Sequence, residues 1–164
     1  MTDFREHPSL ASIWDGTRLI PAPDALAADA QVWFVLPPDA EIEGAPIWEA
    51  LNASKVAEDT FTVCGCPALF AQVAFGDTVR VASSDEGALV VTKVVARGGY
   101  RSARLWFEDG GESWRQPSET LAAEGCVVDV YSEKLVGISW RDSNDLTLAL
   151  ERLEAEGVLV YATA

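Results

Sequence analysis

The chain has little of what small enzymes most often use. It holds one His, three Cys and one Met in 164 residues. A lone imidazole excludes His-rich metal sites and acid–base schemes that need two of them. Cations are scarce as well: 12 Lys and Arg stand against 26 Asp and Glu, a net charge of −14. A body this acidic repels nucleic acid and anionic membrane, and it attracts basic surfaces. No apolar run approaches a membrane span; residues 68–75 are apolar but stop at Gly76 and Asp77. The opening residues, MTDFREHPSLASIWDG, carry acids early and no apolar stretch, so no secretion signal is expected. The expectation is a cytoplasmic protein with neither nucleic acid nor membrane as partner.

The cysteines are few and badly spaced. Cys64 and Cys66 are separated by one Gly, which would close a small, strained disulfide ring. With Cys126 they make three thiols and no neighbouring His, short of the four ligands of a structural zinc site. They read as reduced, buried thiols, with no metal and no cofactor.

Apolar residues are plentiful. They make up 49% of the chain, with six Trp and six Phe, which is enough to build a core without a partner. Residues 1–29, broken by Pro8, Gly16, Pro21 and Pro23, read as an irregular arm. His7 lies within it and reads as a surface or docking residue. Residues 30–100 form a β-rich lobe of short strands punctuated by turns, a small sheet or partly closed barrel. Strands are expected at 31–36, 47–51, 60–63, 78–82 and 88–96, with 67–73 as a helical turn or tight loop.

Residues 101–164 read as strand, helix, strand, strand, helix, strand, a ferredoxin-like β-α-β-β-α-β unit. The first helix is expected at 117–124, with Pro117 in its first turn and Gly125 past its end. The second runs to Glu156. Asp142, Ser143 and Asn144 are its expected caps, and Leu146, Ala149, Leu150 and Leu153 form its apolar face. The fold class is therefore α+β, one compact unit built of two lobes.

Three groups of residues carry the functional reading. The loop acids Asp39, Glu41, Glu43, Asp85, Glu86, Glu108, Asp109 and Glu112, with Trp106 or Trp114 as anchors, suit a surface that captures a basic partner. The acidity is densest in residues 1–60, whose net charge is −8. By contrast, residues 93–104 hold Lys93, Arg97, Arg101 and Arg104 and no acid. Arg97, Arg101, Ser102 and Arg104 are the alternative site, for a small anion. Close carboxylate pairs could also serve an enzyme that uses carboxylates alone, but with 26 acids such pairs arise by chance.

The order of motifs from about Trp33 to Tyr161 resembles a bacterial family, domain-of-unknown-function family 4265. The residues that carry the likeness are Ile47-Trp48-Glu49, then Pro67-Ala68-Leu69-Phe70-Ala71 leading to Gly76-Asp77-Thr78-Val79, then residues 93–104. The family pattern has a His where this chain has Tyr100, so an activity that used that imidazole is not expected here. The resemblance implies a two-lobed α+β architecture. By analogy with small acidic proteins of such families, the leading expectation is an immunity protein. It would be a non-enzymatic inhibitor that occludes a cognate toxin domain.

Overall fold

A computed structural model describes residues 2–37 and 45–163. Twelve strands fall into two six-stranded sheets, and three short helices accompany them among the described residues. The first sheet contains β1 (Asp3–Arg5), β4 (Ala30–Val35), β5 (Ile47–Ala57), β6 (Thr60–Val63), β7 (Thr78–Ser83) and β8 (Leu89–Ala96), in the order β1-β5-β4-β8-β7-β6. β6 also pairs with β5, so five of these strands close into a barrel and β1 lies parallel to β5 outside it. Closure removes the exposed edges that a small open sheet would leave. Val32, Phe34, Leu51, Val63, Val79 and Val81 alternate inward and fill the barrel.

The second sheet is antiparallel. It joins β2 (Ser12–Trp14), β3 (Leu19–Pro21), β9 (Tyr100–Trp106), β10 (Val127–Val130), β11 (Leu135–Arg141) and β12 (Val160–Thr163), in the order β12-β9-β11-β10-β2-β3. Helices α2 (Arg115–Ala123) and α3 (Thr147–Ala155) cover one face of it. Leu121 and Leu150 pack there on Leu105, Ile138 and Trp140. The opposite face meets the barrel through residues 64–77, the β6–β7 connection. Gly137 shows how close this approach is. A Cβ there would stand 2.5 Å from the Pro67 carbonyl oxygen, so only Gly fits.

Two expectations are corrected and a third is narrowed. Residues 2–29 are not an irregular arm but hold β1, β2, β3 and the short helix α1 (Pro23–Ala27). Three-residue strands are too short for alternation to reveal them. Of the two readings of residues 67–73, the loop holds and the helical turn does not. The capping group of α3 is neither Asp142, Ser143 nor Asn144. The Asp145 carboxylate accepts from the Thr147 amide at 2.9 Å, while Asn144 donates to the Glu124 carbonyl at the end of α2. No helix among the described residues is long and apolar enough to cross a membrane.

Candidate functional site

The N-terminal segment straps the two sheets together. β1 adds to the barrel, β2 and β3 extend the other sheet, and His7 lies where the chain crosses between them. Its side chain is 5% exposed, which overturns the surface reading and leaves the docking one. His7 Nε2 lies 2.6 Å from Glu49 Oε2, on β5 of the barrel. Nδ1 lies 2.7 Å from Asp129 Oδ1, on β10 of the second sheet. Carboxylates accept, so both ring nitrogens donate and the ring is an imidazolium.

The remaining capacity of these acids is also used. Glu49 accepts from the backbone N–H groups of Ala68, Leu69 and Phe70, at 2.7, 3.0 and 2.6 Å. Asp129 accepts from the Cys66 N–H at 2.9 Å. Burial acts to lower the His7 pKa, but the hydrogen bonds and charges of Asp129 and Glu49 outweigh it and raise it to about 9. The cluster is a clasp joining arm, barrel, connection and second sheet. Sequence reasoning missed Glu49 and Asp129. The available signal was a single acid in an otherwise apolar strand, as in Val127-Val128-Asp129-Val130.

A third buried acid works the same way. Asp77 accepts from the amides of Ala74 and Gly98, at 3.0 and 2.9 Å, and from Arg97 Nη1 at 2.9 Å. The three thiols are free and buried. Burial pushes Cys64 up and holds Cys66 and Cys126 well above the usual thiol range, so none is a thiolate at neutral pH.

The partner-binding candidates divide into three groups. Asp39, Glu41 and Glu43 lie outside the described residues. Asp85 and Glu86 are exposed on the β7–β8 turn of the barrel. Trp106, Glu108, Asp109, Glu112 and Trp114 are brought together at one end of the second sheet, on β9 and residues 107–114. That loop is pinned to the β10–β11 turn: the Phe107 N–H donates to the Lys134 carbonyl at 2.8 Å, and Gly110 packs beside Glu133. Trp106 is 46% exposed, because its neighbours Leu105 and Phe107 take the inward positions of the pleat. Its cross-strand partners are Leu135 and Val160, so the three side chains share a face, and Val160 is 59% exposed. Glu108, Asp109 and Glu112, on the loop that follows β9, stand in solvent. Trp114 is no free anchor: it packs half-buried on the core, under the Arg115 guanidinium.

The anion candidates are only partly brought together. Arg97, Arg101 and Ser102 line one cleft of about 460 Å³. Arg104 does not line it; it lies on the Trp106 side of β9, paired in register with Gly137 and Ala162. Arg97 is bound to Asp77, and Arg101 lies 3.7 Å from Asp145, the local pairing that a basic stretch in an acidic chain favours. Ser102 is buried and donates to the Val73 carbonyl. Among the described residues, no group of three or more His, Cys, Asp and Glu is disposed to hold a metal ion.

A closed five-stranded barrel clasped to a helix-backed sheet defines a mixed α+β protein, mostly of strands, whose two β units share a buried ionic seam. The signature of a domain of unknown function, DUF4265, matches residues 49–161, and the chain belongs to that family. No curated protein matches it by sequence. Among solved structures it is similar to a hypothetical protein from Neisseria gonorrhoeae, with a TM-score of 0.66 and 15% identity over 82% of this chain and 93% of that one. At that identity the likeness is one of fold.

Proposed function

We propose that this protein is a non-enzymatic inhibitor that captures and covers a basic protein surface, in the manner of an immunity protein that neutralises a toxin. The observation that carries the reading is the end of the second sheet. There the exposed Trp106 and Val160 share a face with the half-buried Leu135, and the loop that follows β9 carries the exposed acids Glu108, Asp109 and Glu112. An apolar centre with an acidic rim suits a partner of opposite charge: the rim speeds encounter and the centre slows release. The chain-wide charge of −14 extends the attraction beyond contact. In this reading the protein is cytoplasmic and acts by occlusion. The full occupancy of Glu49, Asp129 and Asp77 by internal partners supports structural rather than catalytic roles for the buried acids. The reading takes residues 101–164 as a ferredoxin-like unit, which the order β12-β9-β11-β10 and the two helices on one face support.

The test is co-expression with the product of the neighbouring gene, followed by stopped-flow binding of the purified pair. Protection of the cells is expected, with association that slows steeply as salt rises. Charge steering of this kind is worth roughly ten- to a thousand-fold in rate. Absence of protection together with salt-independent association would overturn the proposal.

A further inference from the structure

Four of the twelve cations of this chain stand near one pair of clefts. Arg97 and Arg101 line the 460 Å³ cleft, and Arg141 stacks over Tyr100 on its wall, 4.5 Å from the ring centroid. A second cleft, of about 430 Å³, opens between β4 and β8. These strands pair at a single position, Trp33 with Val90, and diverge beyond it. The gap is walled by Phe34, Phe70, Val91 and Val94, and Lys93 stands at its side. Gln72 and Arg97 line both clefts, so the two adjoin at this pair. Arg97 and Arg101 stand on the first cleft, while Phe70, Val91 and Val94 give the second an apolar wall beside Lys93.

Asp77 and the Gln72 carbonyl both accept from Arg97 Nη1, which holds the guanidinium in place while its side chain stays 65% exposed. Its other N–H groups have no partner among the described residues, and Lys93 has no ion pair there. Three acids temper the field: Asp77 is bound to Arg97, Asp142 lies on the wall of the cationic cleft, and Asp145 sits 3.7 Å from Arg101. That balance suits one negative charge and disfavours a polyphosphate. We infer that these adjoining clefts bind an amphipathic carboxylate, its head on Arg97, flanked by Arg101 and Lys93, and its alkyl or aryl body against Phe70, Val91 and Val94. Guanidinium and ammonium groups supply charge-assisted hydrogen bonds to the head, and the apolar walls reward burial of the body. Both clefts fall in the size range of small-molecule sites. The inference is independent of partner capture at the Trp106 end.

The experiment is titration with octanoate, followed by calorimetry and by amide NMR shifts on the full chain. Octanoate is expected to bind one-to-one, shifting the amides of Gln72, Lys93 and Arg97. Acetate, which lacks the body, and octanol, which lacks the head, should each bind at least roughly tenfold more weakly. Lys93→Glu and Arg101→Glu alter exposed side chains, so both variants should fold as the parent does and lose roughly tenfold or more in octanoate affinity. Octyl phosphate should bind no more tightly than octanoate. The inference is overturned if octanoate produces no shifts at millimolar concentration, if its shifts fall elsewhere, if acetate or octanol binds equally well, or if both folded charge-reversal variants bind octanoate unchanged.

Discussion

The acids at the seam and the acids at the end of the second sheet are the same chemical groups in opposite settings. Glu49 and Asp129 are buried, and their oxygens are taken up by His7 and four backbone amides. Glu108, Asp109 and Glu112 stand in solvent, and the one ion pair they make among the described residues joins Glu112 to Arg115, both exposed. A buried charge is tolerable only where partners replace its water, and removing one partner strands the rest. An exposed charge keeps its water and influences only what approaches. The seam is therefore scaffold and the rim is available for binding.

The comparison can be broken by mutation. The largest effect is expected at Asp129→Ala or Glu49→Ala. Each leaves an imidazolium and at least one buried amide without its acceptor, and should cost about 3–5 kcal/mol in urea unfolding. A loss below about 1 kcal/mol would mean that the seam relaxes and takes in water. Next comes Gly137→Ala, which drives a methyl group into the Pro67 carbonyl and should cost about 1–3 kcal/mol. Trp106→Ala removes a side chain already half in water. It should change stability by about 1 kcal/mol or less, yet speed dissociation of the bound partner. Smallest is Asp109→Asn, expected within about 0.5 kcal/mol in stability, with association slowed and dissociation unchanged. If Asp109→Asn instead unfolded the chain as Asp129→Ala does, the division into scaffold and rim would fail.

The fold was legible where turns and alternation are strong. Gly98 and Gly99 mark the β8–β9 bend, and Pro117 and Gly125 frame α2 to within two residues. β1, β2 and β3 were not legible, since three residues give alternation too little room. The rim was legible because Glu108, Asp109 and Glu112 follow one another beside Trp106, and neighbours in sequence stay neighbours in a loop. The seam was not. His7 lies 42 residues from Glu49 and 122 from Asp129, and only the docking of two sheets brings them together. The cationic groove was half legible: residues 93–104 announced Arg97 and Arg101, while Arg141 and Phe34 arrive from distant strands.

The most direct test of the seam is unfolding free energy against pH, for the parent chain and for His7→Gln. The His7 pKa is raised from 6.5 to about 9 on folding, so its charge favours the folded state by about 3 kcal/mol. That contribution is fully present below the unfolded value of about 6.5 and is lost as pH rises through about 9. Gln can donate to one of the two acids but carries no proton to lose. The account predicts that the parent loses stability between about pH 6.5 and 9 and that the variant, weaker from the start, stays nearly level across the same window. Parallel curves for the two proteins, or a parent whose stability is flat through that window, would contradict it.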